Sequence, residues 1–517
     1  MVAGLKPRLN TSNHHGINLP LSALRSHQSE GIGDFYDLIP LLHWCKKIGF
    51  NTLQLLPLND SGQDPSPYNA LSAYALHPIY LRLTELPHFD SHADLLSQVK
   101  QLQTLTMSDY TPYHAVLNLK TDILNAYIQR ERLSLKKEFI AFATQFPWIK
   151  IYALFKTLKE VHEQKHWQDW PEQHKQGYTK ELEKEFLEGI ERHSLIQLLC
   201  FKQWAAIKKE AELLHLELMG DLPILISADS ADVWHHRSYF DLSLQAGAPP
   251  DLYNPKGQNW GSPLYHWHIL EKEDFQWWKE RLKVCEILYD IYRIDHVVGF
   301  FRIWGIKAGE SAQQGHFVPQ DPQLWHPQGE KIIQMLLDSC KALPVGEDLG
   351  TVPPSVKLFL HSKGICGTRV MRWERNWEGD QAWIPVEKYD HLSLTTVSTH
   401  DSETLGQWWS LQKEEARLYA ISEGWPYTEK LEKKTREAIL LKSHQSGSLF
   451  HINLLQEYLC LFPTLSWEDQ NRDRINIPGI VNETNWVYRF RPYLEEFTAD
   501  EELGKIIKSF SQQITPF

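Results

Sequence analysis

The sequence predicts an α/β chain folded as a (β/α)8 barrel, the TIM-barrel architecture, and three observations carry that expectation. Short apolar strands, several of them ending in a charged or polar residue, alternate with longer stretches of helical periodicity. Eight such strand segments can be marked along the chain, the number that closes a parallel barrel. Acidic residues stand at the ends of several segments, and the C-terminal strand ends are where a barrel carries its chemistry.

In chain order the expected strands are 15–20, 52–58, 219–226, 290–296, 343–347, 368–373, 394–401 and 475–478. Residues 1–517 are read as one catalytic barrel unit, since neither an internal repeat nor a low-complexity linker divides them. Two stretches exceed a minimal barrel. Residues 84–213 read as a helical insertion between the second and third strands. Within it Val116, Leu119, Ile123 and Tyr127 share one stripe, and a further helix covers 151–161. Residues 408–461 read as a second helical insertion, between the seventh and eighth strands. Insertions at the catalytic rim shape clefts or brace the barrel.

Composition narrows the function. Of the 517 residues, 42% are hydrophobic and 23% charged, as in an ordinary globular protein. A net charge of -12 with no Lys/Arg tract argues against nucleic-acid binding. No apolar run reaches membrane-spanning length and the first twenty residues hold no apolar signal core, so a cytoplasmic protein without a membrane partner is expected. Cys45, Cys200, Cys285, Cys340, Cys366 and Cys460 show neither CxxC nor Cys/His metal spacing and read as buried free thiols. Twenty Trp is a high count; core packing accounts for most, and an exposed subset would suit a ligand with apolar faces and polar edges, as a sugar has.

Three strand ends carry candidate chemistry. On a strand, Arg293 and Asp295 point to the same side, and a buried Arg keeps a neighbouring carboxylate ionised, as a carboxylate nucleophile requires. A structural ion pair fits the same two residues. The stretch Pro344-Val345-Gly346-Glu347-Asp348 delivers Glu347, a candidate general acid/base, while Asp348 suits a helix cap. Val397-Ser398-Thr399-His400-Asp401 ends another apolar strand with an imidazole and a carboxylate, either of which alone fits a structural role. Taken together, Asp295, Glu347 and Asp401 at three strand tips would converge on one pocket. One ionised and one protonated carboxyl flanking a bond is what glycoside chemistry needs.

Arg293-Ile294-Asp295-His296, Glu347-Asp348-Leu349-Gly350 and Thr399-His400-Asp401, in this order, resemble the signature of the α-amylase superfamily. Further stretches resemble the amylomaltases, the 4-α-glucanotransferases of glycoside hydrolase family 77. They are Gly31-Ile32-Gly33-Asp34, Ser66-Pro67-Tyr68-Asn69-Ala70-Leu71, Gly220-Asp221-Leu222-Pro223, residues 229–234 and the long run 247–267. The resemblance implies Asp295 as nucleophile, Glu347 as acid/base and Asp401 as the third carboxylate, which holds ring hydroxyls. It implies Arg293, His400 and Asp221 around the same sugar, Tyr68 and Trp260 as aromatic walls, and Asn476, in Arg474-Ile475-Asn476-Ile477-Pro478-Gly479, as a sugar contact. Trp260 lies in a Gly- and Pro-rich segment that reads as a shaped lid loop, able to exclude water.

After Asp295 the stretch 297–306 looks closer to plant-type disproportionating enzymes, and Ser402 stands where the family usually has Asn. Both bear on donor and acceptor preference. The resemblance implies a retaining 4-α-glucanotransferase acting on maltooligosaccharides and on glycogen- or starch-like α-glucans, with no metal or other cofactor. An α-amylase-like hydrolase is the alternative. A glycan-binding protein on an inactive barrel would not need all three acids. Oligomeric state is not read from the sequence.

Overall fold

The computed structural model describes residues 13–250 and 254–512. Twelve strands are found there: β1 (His14–Leu19), β2 (Thr52–Leu55), β3 (Glu217–Pro223), β4 (Phe240–Ala248), β5 (Gln258–Tyr265), β6 (Ile291–Asp295), β7 (Ile303–Lys307), β8 (His316–Val318), β9 (Leu343–Gly346), β10 (Gly367–Val370), β11 (Ser393–Thr396) and β12 (Phe450–Leu454). Eight of them form one parallel sheet in the order β10-β11-β12-β1-β2-β3-β6-β9. A parallel bridge between Val345 and Cys366, with Gly346 N donating to Cys366 O at 2.8 Å, joins β9 back to β10. The sheet therefore closes on itself as a (β/α)8 barrel.

Side chains alternate along these strands, and the alternation sorts the barrel interior into levels. Met219, Ile291, Val345, Leu394 and Ile452, with Phe450 and with Cys366 just before β10, form a separate buried cluster fed by five of the barrel strands. Two residues further along the same strands stand Asp221, Arg293 and Glu347, and two beyond Arg293 stands Asp295. An apolar plug thus fills the barrel beneath a polar level at its C-terminal mouth. The plug keeps water out from below, while the rim decides what enters from above.

Between β2 and β3 lie the helices Ala93–Leu105, Tyr113–Gln145, Trp148–Val161 and Leu187–Leu214. Val116, Ile123 and Tyr127 are buried on the inner stripe of the second, and Leu119 packs partly against the same core. The Gly31-Ile32-Gly33-Asp34 stretch serves this junction. Asp34 caps the 3-10 turn Phe35–Asp37 and accepts from Arg82 Nε at 2.9 Å, tying the β1 loop to the start of the helical region.

Two sequence expectations change. The eighth barrel strand is Phe450–Leu454, inside the stretch read as helical, and not 475–478. Every residue of β12 is buried, so it lacks the alternation that marks a half-exposed strand. Its polar side chains have partners: Asn453 Nδ2 donates to Ser443 Oγ and Tyr458 Oη, and its Oδ1 accepts from Val397 N. The helices of that region are Leu405–Leu411, Lys413–Ser422 and Lys433–His444 before β12 and Leu455–Leu459 after it. Residues 475–478 instead cross the barrel mouth, with Asn476 N donating to His400 O at 3.1 Å. Second, Trp260 sits in a strand rather than a loop. β4, β5, β7 and β8 form a four-stranded antiparallel sheet, order β5-β4-β7-β8, on the rim. Glycines and prolines in 247–263 hide that sheet from sequence patterning. Residues 251–253 of this run lie outside the described residues.

Five of the six cysteines are buried, Cys460 is partly so, and no disulfide joins any of them among the described residues. Among the described residues no helix is long and apolar enough to cross a membrane.

Candidate active site

Parallel register sets the first contact. Asp221 on β3 pairs with Arg293 on β6, so the two side chains leave neighbouring strands at one level. Arg293 Nη1 donates to Asp221 Oδ1 at 2.9 Å and Oδ2 at 2.7 Å, and lies 3.0 Å from Asp295 Oδ1. Burial alone would lower the guanidinium's pKa. Asp221, Asp295, Tyr68 and Glu347 outweigh it and hold the pKa well above the ordinary value. Arg293 is thus a fixed cation between two carboxylates. Asp221 is fully buried and also accepts from the Tyr68 hydroxyl at 2.7 Å, whereas the Asp295 side chain is 30% exposed and faces the cleft.

Glu347 follows β9 directly. Its backbone is stapled to the tip of β6, its N–H donating to Ile294 O at 2.9 Å and its carbonyl accepting from Val297 N at 3.1 Å. Its carboxylate accepts from His296 N at 2.9 Å and from Leu349 N at 2.8 Å. Burial raises its pKa most. Arg293 pulls it down, Asp295 pushes it up, the two backbone donors pull it down, and the balance lies at about 7. Such a group can both give and take a proton near neutrality. Asp348 does not cap a helix; it accepts from Thr368 N at 2.7 Å and from Arg369 Nη1, tying the β9 tip to β10.

His400 and Asp401 follow β11. His400 is buried, stacks on the Tyr68 ring at 5.2 Å between centroids, and places Nε2 3.3 Å from Asp401 Oδ2. Asn476 Nδ2 donates to the other oxygen, Asp401 Oδ1, at 2.6 Å. Burial would raise the Asp401 pKa, but the His400 charge and hydrogen bond and the Asn476 bond bring it down to about 2. Burial likewise lowers His400, and Asp401 more than offsets it, so the imidazole is held above its usual value. The segment across the mouth thus carries a positioning donor: Asn476 reaches the third carboxylate itself. Trp486, whose backbone N–H donates to Ile475 O, packs against Tyr68 and His400 at 5.4 and 5.8 Å and completes an aromatic wall.

Trp260 on β5 is 37% exposed and meets the His296 ring edge-to-face at 4.9 Å. The structure therefore brings Asp221, Arg293, Asp295, Glu347, His400, Asp401, Tyr68 and Asn476 together at one mouth, with Trp260 at its edge through His296. Sequence reading did not single out His296 or Trp486 as site residues. His296 lay within a quoted motif, but both have left-handed backbones, φ 51 and 65, that no side-chain pattern announces.

A family model described as 4-alpha-glucanotransferase matches residues 19–495. A 4-alpha-glucanotransferase of Chlamydia caviae is 44% identical over 505 residues, covering 96% of this chain and 94% of that protein. One of Chlamydia pneumoniae is 42% identical, covering 97% of this chain and 95% of its own length. The fold matches that of the amylomaltase from Streptococcus agalactiae, solved in complex with acarbose, with a TM-score of 0.82 at 22% identity over 97% of this chain and 99% of that one. With its barrel, its cluster of three strand-tip carboxyls and these relatives over nearly its whole length, the chain belongs to the 4-α-glucanotransferases of glycoside hydrolase family 77.

Proposed function

We propose that the chain moves glucosyl or maltooligosaccharyl units between α-1,4-glucans with retention, through a glucosyl ester on Asp295. The observation that carries this reading is the pair of carboxyls on adjoining strands: Asp295 is the anionic partner of Arg293, while Glu347 is poised at about 7. One ionised and one protonated carboxyl flanking a bond is the requirement for glycosyl transfer with retention.

The steps follow from that assignment. A carboxylate oxygen of Asp295 attacks the anomeric carbon. The glycosidic C–O bond breaks, its electron pair stays on the leaving oxygen, and that oxygen takes the proton of Glu347. The reducing-end fragment leaves. An acceptor hydroxyl then loses its proton to the Glu347 carboxylate as its oxygen attacks the anomeric carbon, and the ester bond returns its electrons to Asp295. One glycosidic bond is broken and one is made, and the cycle needs no cofactor. Asp221 and Arg293 hold Asp295 in place, and His400 and Asp401 are positioned to bind ring hydroxyls whose hydrogen bonds tighten as the ring flattens. Tyr68 offers a ring face to the same sugar, Asn476 orients Asp401, and Trp260 shields the intermediate on the acceptor side.

Maltooligosaccharides and glycogen- or starch-like glucans are the proposed substrates. The acarbose bound to the Streptococcus protein supports a ligand of that class. Incubation with pure maltotriose tests the reading. Transfer conserves reducing ends and gives a ladder of longer and shorter chains. Shorter products alone, with new reducing ends, would make the enzyme a hydrolase.

A further inference from the structure

We propose that His296 is a positioning residue that couples the lid strand β5 to the proton-carrying carboxyl Glu347: its backbone orients Glu347 and its ring supports Trp260. The inference rests on the reading of Trp260 as the shield of the glucosyl intermediate.

His296 follows the nucleophile position directly and adopts φ 51, ψ 52, a conformation that L side chains with a Cβ adopt at a cost and that Asn tolerates better than most. That turn has a visible product. It ends β6 beside Glu347: the His296 N–H, fixed by the peptide before the turn, donates to Glu347 Oε2 at 2.9 Å, and the next N–H, of Val297, which the turn redirects, bonds the Glu347 carbonyl. An extended residue here would carry β6 onward and send the Val297 amide elsewhere. The left-handed backbone is thus what turns the Val297 N–H onto the Glu347 carbonyl, and so keeps the acid/base beside the His296 N–H.

The ring does something different. It lies over Gly299, where an added Cβ would stand 3.1 Å from His296 Cδ2, and it meets Trp260 edge-to-face, 4.9 Å away at 78° between planes. Trp260 is 37% exposed and its indole N–H bonds only Gln258 Oε1, on its own strand, so the His296 ring is its one aromatic support among the described residues. Burial, opposed by Asp295 and aided by Arg302, takes this imidazole down to about 4 and leaves it neutral at neutral pH. The contact is therefore an aromatic edge-to-face pair and not a cation–π pair, and it does not switch off as pH rises through neutrality. A single residue serves the proton donor with its main chain and the lid with its side chain. Substitution can separate the two.

His296→Asn retains a residue suited to the left-handed backbone, and hence the N–H to Glu347, but removes the imidazole. His296→Phe restores an aromatic face. With maltotriose as donor, His296→Asn is expected to raise the ratio of hydrolysis to transfer by roughly two- to tenfold, the range of one aromatic pair. Cleavage should fall less than transfer, and the alkaline limb of the kcat/KM profile should stay in place. His296→Phe should return the ratio toward that of the native enzyme. Trp260→Ala should raise the ratio by itself, and the double variant with His296→Asn should add little more. If Trp260→Ala raises the ratio and His296→Asn does not, or if the two effects multiply, the coupling is wrong and the shield reading survives. If neither variant changes the ratio, both fall.

Discussion

Replacing Asn476 separates the electrostatic role of the segment across the mouth from mere packing. Its Nδ2 donates to Asp401 Oδ1 at 2.6 Å, while His400 serves Oδ2 at 3.3 Å. Removing one donor to a charged group costs about 1.5–3 kcal/mol. The Asp401 side chain is 46% exposed, so water recovers part of that and the lower end applies. Asn476→Ala should therefore lower kcat/KM for maltotriose by about tenfold. Asn476→Asp has the same size but puts a second carboxylate against Asp401. Two unit charges about 4 Å apart at an effective dielectric near 20 repel by about 4 kcal/mol. With relaxation and solvent, roughly a further hundredfold loss at pH 7 remains. The sign of the pH effect is fixed: the introduced carboxyl shares a proton with Asp401 at lower pH and then becomes a donor. The deficit of Asn476→Asp relative to native should therefore shrink as the pH is lowered, while that of Asn476→Ala stays constant. Steady-state kinetics of all three proteins across pH, with Tm as the control for folding, would check this. Equal deficits for the two variants at every pH would refute the reasoning, because Asp401 would then not be working as an anion held by Asn476.

Three further outcomes follow from the same geometry. In the proposed mechanism donor cleavage needs protonated Glu347, so kcat/KM should fall about tenfold per pH unit above a value of about 7; a flat profile to pH 9 would remove Glu347 from proton transfer. Trp260→Ala should raise the hydrolysis-to-transfer ratio with little change in Tm, since the indole is 37% exposed; a loss of several kcal/mol, as for truncating a core Trp, would mark it as packing instead. His15 and His451, paired across β1 and β12, and His444 beside them are buried. Burial, with the neighbouring histidines, takes His15 to about 3 and His444 well below its usual value; burial takes His451 to about 4. Depressed folded-state values mean that the unfolded chain binds more protons below about pH 6.5, so Tm should drop as pH falls from 6.5 toward 4. A Tm independent of pH across that window would contradict it.

Seven of the eight barrel strands could be placed from sequence because each is a short apolar run bounded by turn residues, and strand tips are where acids stand out. The eighth could not. Phe450–Leu454 is buried on both faces and sits between helices, while Ile475-Asn476-Ile477 offers a more strand-like alternation yet spans the mouth as irregular chain. The site was legible where side-chain type decides: Arg293 and Asp295 two apart on one strand fall on one side, and register then brings Asp221 to Arg293. It was not legible where the backbone decides. The left-handed turn at His296 and the antiparallel strand under Trp260 depend on dihedrals and long-range pairing that local pattern does not encode.

Asp295 is the proposed nucleophile of a covalent intermediate, and Glu347 its proton partner. Both are tested at once by exposing Glu347→Gln to an α-glucosyl fluoride, whose leaving group needs little protonation, and reading the intact protein and its peptides by mass spectrometry. The predicted result is a gain of one glucosyl residue located on the peptide bearing Asp295, absent when Asp295→Asn is added. Finding no glucosylated protein, with the fluoride turned over as poorly as maltotriose, or finding the sugar on another residue, would contradict it.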